Sequence, residues 1–537
     1  MECVSTLPDP QLKPWFKKVV YPHIECESGQ TKAIIRLVDI LKDCPWGVLI
    51  GLTGSGKSYI ALRAVQEIGT QALTITAANA LEHHKNLNKD YINEDSEENF
   101  SRVISYDKIS FNNQSSTKGN LSNRYILRQG GRYYPTRHFK QMAKKFGVTL
   151  IIDEIQKTKN TINYSEALRC LVYYVVYRLS KANQYKEDDT SKKAVRARNK
   201  SHSRVIYASF CPFDSYKQLK TFCWLSAILE EEPEGNLSAK KFKAEIQELI
   251  ELAKMFNPKK TNKMVKYIPE SINERDRLIA NLSLIIWKEI SVETPGITIK
   301  YKCDYYDMFY EVPRSIRRDT IRALEKVDRM NHGKGGKSAK LISELKFIEE
   351  KMIDAGIPQT LALDALENNK RVILATNYND RFSELKKEFT DKNYRIGVIK
   401  GDVTSKRRET VAGKFRWGEL DIVFMNKDSG AEGISLQNLA NDGVDTRLIY
   451  FADHKFQKGV QMSNRSIRLG MTSNVEVICL YPWVSDADIP TLISVYKSML
   501  KKLKEALPFM AKDLGVIKLP GQYTAVDKNF EKMHLDF

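Results

Sequence analysis

The stretch Gly51-Leu-Thr-Gly-Ser-Gly-Lys57-Ser58 constrains this chain more than any other. It has the spacing G-x-x-x-x-G-K-[ST], follows the apolar run Trp46–Ile50, and leads into the helical pattern Tyr59-Ile-Ala-Leu-Arg-Ala-Val65. A glycine-rich turn between a buried strand and a helix N-terminus lets backbone N–H groups point inward at a phosphate, where the helix dipole favours negative charge. Gly51, Gly54 and Gly56 supply the turn, with Thr53 and Ser55 between them. Lys57 is expected to reach the β- and γ-phosphates, and the Ser58 hydroxyl to coordinate Mg²⁺. The competing reading is a chance glycine-rich turn.

The rest of the chain supplies the sheet that such a loop needs. Apolar runs at 72–76, 102–105, 148–152 and 204–208 alternate with helix-like stretches. A second series follows at 371–375, 395–399, 421–424, 447–451 and 475–480. Alternation of this kind predicts parallel sheets with helices on both faces, here an α/β fold in two lobes. We read an N-terminal lobe over 1–230, a helical insertion and hinge over 231–335, a C-terminal lobe over 336–490 and a helical tail over 491–537. The hinge candidate is the glycine-rich Asn331–Lys337. Residues 181–204 carry eight Lys or Arg against Glu187, Asp188 and Asp189, a composition suited to a basic surface insertion.

About a hundred residues after the loop, Thr149-Leu-Ile-Ile-Asp153-Glu154-Ile-Gln156 sets two acids at the end of an apolar strand. Carboxylates there are costly to bury unless they meet a cation or do chemistry. Beside a phosphate loop, Asp153 is expected to hold Mg²⁺ and Glu154 to position and polarise the attacking water. By itself the pair could also be a helix N-cap.

Charge narrows the partners. With 85 Lys+Arg against 66 Asp+Glu the chain carries +19, which points to nucleic acid or an anionic membrane surface. No apolar stretch approaches the ~20 residues of a membrane helix. The richest run, Cys170–Val176, is short and flanked by Arg169 and Arg178. The N-terminus lacks signal-peptide character, so nucleic acid and a soluble intracellular setting are expected. Eight scattered cysteines without a Cys-x-x-Cys pair argue against a zinc ribbon or a disulfide framework.

Gly51–Ser58 and Asp153-Glu154-Ile-Gln156 resemble the first and second motifs of superfamily 2 helicases, whose core is two tandem RecA-like lobes. Asp428-Ser-Gly-Ala-Glu-Gly433-Ile-Ser-Leu436 looks like motif V, and Gln461-Met-Ser-Asn-Arg465-Ser-Ile-Arg468-Leu-Gly470 like motif VI. On a helix Gln461, Arg465 and Arg468 share a face. The resemblance implies ATP as substrate, Mg²⁺ as cofactor, Arg465 and Arg468 as arginine fingers, and Gly433 and Gln461 beside the nucleotide. Gln30 sits near where a Q-motif glutamine would read adenine. The extended Asp153–Asn160 segment, with Tyr164–Leu168, and Phe451-Ala-Asp453-His-Lys-Phe456 are similar to the Swi/Snf-type and viral DNA-dependent ATPase branch.

The resemblance covers about 30–230 and 336–485. It implies a DNA translocase or helicase that grips the phosphate backbone, with DNA favoured over RNA and protein partners in replication, transcription or repair. An RNA-dependent ATPase and a nucleotide-gated scaffold without motor activity are the alternatives. Gln156 stands where the family usually has His, Asn464 where Gly is common and Met471 where Gln is common, and Tyr207–Pro212 matches motif III loosely. Gln129-Gly-Gly-Arg-Tyr-Tyr-Pro135 reads either as a hairpin whose tyrosines stack on a base or as a plain surface turn.

Overall fold

The computed structural model describes the chain outside residues 1–12, 14–15, 18–27, 53, 79, 93–100, 112–120, 161, 183–202, 214–217, 230–237, 297–298, 333–337, 378–380, 428–433, 453–455, 469, 484–493, 511, 528 and 533–537. Thr53, Gly433, most of the basic insertion and most of the glycine-rich hinge therefore lie outside the described residues. Two compact units emerge: Met1–Pro295 with Glu505–Asp513, and Gly296–Lys504 with Leu514–Phe537.

The first unit runs α1 (Ser28–Asp43), β1 (Trp46–Ile50), α2 (Lys57–Ile68), β2 (Gln71–Thr76), α3 (Leu81–Tyr91), β3 (Arg102–Ser105) and α4 (Tyr106–Ser110). A small antiparallel sheet follows, β4 (Leu121–Ser122), β5 (Ile126–Gln129) and β6 (Arg132–Pro135), then α5 (Arg137–Lys145) and β7 (Val148–Asp153). Next come α6 (Ile162–Ala182), β8 (Arg204–Ser209), α7 (Gln218–Leu225), α8 (Ala239–Glu245), α9 (Gln247–Phe256), α10 (Pro258–Val265), α11 (Ile272–Ile290) and β9 (Ser291–Glu293). The main sheet is parallel throughout, in the order β3-β2-β7-β8-β1-β9. Every residue of β1, β2, β7 and β8 is buried, which requires cover on both faces and explains why these strands read as unbroken apolar runs.

The second unit opens on β10 (Cys303–Glu311), α12 (Arg314–His332), α13 (Ser338–Asp354), α14 (Ile357–Glu367) and β11 (Arg371–Thr376). It continues through α15 (Phe382–Thr390), β12 (Ile396–Ile399), α16 (Ser405–Arg416), β13 (Ile422–Asn426), β14 (Thr446–Phe451) and α17 (Phe456–Ser466). β15 (Val475–Trp483), α18 (Ser494–Ala506) and β16 (Thr524–Val526) complete the described elements. Its seven strands are again all parallel, ordered β12-β13-β11-β14-β15-β10-β16. Both units are RecA-like α/β bodies, and their core strands lie within two or three residues of the expected runs.

The expected helical insertion over 231–335 is divided between the units. In the first, α11 buries Trp287 against Phe213 and Phe222, with ring centroids 5.0 and 5.1 Å apart. The strand after it, β9, pairs with β1. In the second, β10 pairs with β15 over nine consecutive positions, so the chain has entered that sheet well before the glycine-rich segment. The expected tail is also shared. Phe509 packs 5.9 Å from Phe213 in the first unit, while β16 extends the second sheet beside β10.

Candidate nucleotide site

Parallel α/β sheets bind ligands at the carboxyl ends of their strands. In the first unit that edge is polar at five adjacent strands: Thr76 ends β2, Asp153 ends β7, Ser209 ends β8, the glycine loop follows β1 and Thr294 follows β9. Register brings them level, since Ile50 pairs with Ser209 and Asp153 with Ala208. The Gly51 N–H also donates to the Ser209 carbonyl at 3.1 Å.

The loop is tightly seated. Gly54 and Gly56 have φ of 91° and 87°, the left-handed region that side chains disfavour, and Gly56 caps α2. A Cβ at Gly56 would fall 2.6 Å from Gln30 Nε2, and one at Gly51 only 1.7 Å from Thr294 Oγ1. Ser55 Oγ donates to Leu52 O at 2.8 Å and lies 2.7 Å from Thr294 Oγ1. The buried Lys57 ammonium donates to the Gly51 and Leu52 carbonyls at 2.7 and 2.8 Å. Gln30, from α1, donates to Ser55 O at 3.4 Å, while its buried Oε1 has no hydrogen-bond partner among the described residues.

The two acids are held differently. Thr76 Oγ1 donates to Asp153 Oδ2 at 3.1 Å, and His84 Nε2 lies 2.9 Å from the same oxygen. Burial would raise this carboxyl, but His84, Lys57 and Thr76 outweigh burial and hold it below the usual range, so it stays ionised. The Tyr106 hydroxyl donates to the Asp153 carbonyl at 2.6 Å. Glu154 has φ of 56°, a backbone state that branched or bulky residues avoid. Gln156 Nε2 donates to Glu154 Oε2, and Ser209 Oγ donates to Gln156 Oε1 at 2.6 Å. Gln156 thus links Glu154 to the end of β8.

An ionised carboxylate and a hydroxyl at this edge are hard oxygen donors suited to Mg²⁺, which keeps waters and phosphate oxygens for its other positions. Ser58 and Asp153 are the residues that would hold it. No cluster of three or more His, Cys, Asp or Glu suited to a metal occurs among the described residues.

In the second unit the expected single helical face of motif VI is incomplete. Gln461 and Arg465 lie on α17, which ends at Ser466, so Arg468 stands in the turn beyond it. Both arginines nevertheless converge. Arg465 Nη1 donates to Ile434 O at 2.9 Å, and Arg468 donates to Ile434 O at 3.4 Å and to Ser435 Oγ. Burial, with Arg465 and Arg416 nearby, pushes Arg468 down to about 9. The arginines therefore brace the segment just after residues 428–433. Just before residues 428–433, Lys427 makes a buried ion pair with Glu349 at 3.0 Å. Glu349 also accepts from Thr376 Oγ1 and the Asn377 N–H.

His84, Thr76, Tyr106 and Thr294 escaped the sequence reading. The available signal was a polar residue closing each apolar run, as at Thr76 and Ser209, since those closures share one edge of a parallel sheet.

Glycine loop, lysine, ionised aspartate and strained glutamate on one sheet edge define the first unit as a P-loop nucleotide-binding unit. A profile described as "Helicase conserved C-terminal domain" matches residues 357–470, within the second unit. That stretch of the second unit is thus similar to the C-terminal domain of helicases. Among solved structures, the chain aligns with the Sulfolobus solfataricus SWI2/SNF2 ATPase core domain at 16% identity, covering 95% of this chain and 96% of that one, with a TM-score of 0.29. The Sulfolobus solfataricus SWI2/SNF2 ATPase core in complex with dsDNA aligns at 13% identity over 91% and 92%, with a TM-score of 0.28. No curated protein matches the chain. No helix among the described residues is long and apolar enough to cross a membrane.

Proposed function

We propose that the protein is a nucleic-acid-dependent ATPase that couples ATP hydrolysis to movement along DNA. The observation that carries this reading is the sheet edge itself, where Lys57, an ionised Asp153 and the Glu154–Gln156–Ser209 chain meet the glycine loop. Adenine is read by Gln30, whose unpartnered Oε1 suits an exocyclic amine. Lys57 holds the β/γ-phosphates, and Mg²⁺ on Ser58 and Asp153 offsets their charge. Glu154 positions the attacking water. Gln156 keeps Glu154 oriented and links it to Ser209, within the Tyr207–Pro212 stretch. Arg465 and Arg468 supply the arginine fingers, and Gly433 and Gln461 complete the nucleotide's surroundings.

Support for nucleic acid comes from the +19 charge, and support for DNA over RNA from the Swi/Snf-type sequence around Asp153–Asn160. Phosphate contacts would make binding largely sequence-independent and salt-sensitive. The test is a pair of variants. Lys57→Ala should abolish hydrolysis and weaken ATP binding. Glu154→Gln should keep ATP bound while stalling turnover. Near-normal turnover in either variant would overturn the corresponding role.

A further inference from the structure

We propose that a cavity between β6 and α6, apart from the ATP site, binds an unpaired nucleobase together with its phosphate. The expected hairpin exists: Gln129 pairs with Arg132 and Arg128 with Tyr133 across a turn at Gly130-Gly131, where φ is 56° and 79°. Beside it lies a cavity of about 630 Å³, inside the size range of small-ligand sites.

Its walls are aromatic. Tyr133 and Tyr134 come from the hairpin, Tyr173 and Tyr174 from α6, and Trp224 from α7. Tyr134, in the lining, is 43% exposed. Tyr133 is fixed by donating to Ser110 O at 2.9 Å. The Arg169 guanidinium is fixed too. It sits 5.0 Å from the Trp224 ring centre and 5.8 Å from that of Tyr173, and it donates to the Trp224 and Leu229 carbonyls at 3.1 Å each.

The charge of the lining selects the occupant. Arg132, Lys140 and Arg169 outnumber Glu166, so the cavity favours a planar ring bearing an anion. Aromatic faces take any base by stacking, and cations track the phosphate. The Glu166 carboxylate accepts but does not donate when ionised, which suits a base with an exocyclic amine. A cytidine unit meets all three demands, whether in a single strand or as free CMP. Tyr134 is the stacking face, and Tyr133 anchors the strand.

Binding is read without ATP, so it stands or falls separately from the hydrolysis reading. The probe is a labelled oligo(dC), compared by fluorescence anisotropy with an abasic strand of equal length, and challenged with CMP. The intact strand should bind about tenfold or more tightly than the abasic one. Tyr134→Ala should remove most of that difference and Tyr134→Phe keep it. Because Tyr134 is exposed, both variants should melt as the parent does. Lys140→Ala should lower the slope of log K against log[salt] by about one. Competition by CMP would make the free nucleotide a source, and its absence would assign the site to strands. Equal binding of intact and abasic strands, or an unaltered Tyr134→Ala variant, would overturn the proposal.

Discussion

Asp153 shows how much of a site one residue's surroundings decide. Its place at the end of an apolar run was plain in the sequence, because two acids there are costly to bury unless they meet a cation, do chemistry or cap a helix. What keeps it ionised was not plain. His84 lies on α3, 69 residues before Asp153, and the pairing of β2 with β7 helps bring it to 2.9 Å. Groups that orient a metal-binding carboxylate commonly change metal affinity by 10- to 100-fold. His84→Ala should therefore raise the Mg²⁺ concentration needed for half-maximal hydrolysis by about that factor, with ATP binding little changed. An unaltered Mg²⁺ requirement would reduce His84 to a packing role.

A second buried acid gives a pH test. Asp307, on β10, is aligned with Cys479 of β15 and Ala525 of β16. Burial pushes its carboxyl up to about 7, and the neighbouring Tyr496 and Tyr481 hydroxyls offset only part of that. The folded chain then holds a proton that the unfolded chain has released between about pH 4 and 7. Stability from this group is fully present at low pH and declines as pH rises through that window, by at most about 1.4 kcal/mol per pH unit. Asp307→Asn should remove that decline in denaturation curves taken from pH 4.5 to 8. Parallel curves for parent and variant would contradict it.

Among the elements, the fully buried strands were legible because parallel sheets covered on both faces leave continuous apolar runs, as at Trp46–Ile50 and Arg371–Thr376. The strands that escaped notice break that rule. β10 carries Asp304 and Asp307 among its aromatics, and β9 and β16 are three residues each, too short for a periodic signal. Missing β10 is what made 231–335 look like a single insertion. Loop ends in the second unit depend on side chains that periodicity does not register. Lys427 and Glu349, 2% and 3% exposed, tie the end of β13 to α13, and Lys427 also donates to Phe451 O at 3.2 Å. Removing one partner of such a pair strands the other charge. Glu349→Ala should cost about 3–5 kcal/mol in urea denaturation. A loss below about 1 kcal/mol would mean that the pair is effectively solvated.

At the scale of the molecule, the chain holds two parallel α/β units, with a P-loop edge in the first and a match to a helicase C-terminal domain in the second, and carries a net charge of +19. Charge was legible at once, but the division of the chain was not. It is set by which sheet each short strand joins, so it falls after Pro295 instead of at the glycine-rich segment. The central claim, that hydrolysis at Lys57, Asp153 and Glu154 answers to nucleic acid, is tested most directly by steady-state ATPase rates. These should be measured with no nucleic acid, duplex DNA, single-stranded DNA and RNA, at low and high salt. Duplex DNA should raise the rate well above the unstimulated level and above RNA, with the stimulation fading as salt rises. The same rate in all four conditions, from protein whose Lys57→Ala variant is inactive, would contradict the account and leave a nucleotide hydrolase with no nucleic-acid track.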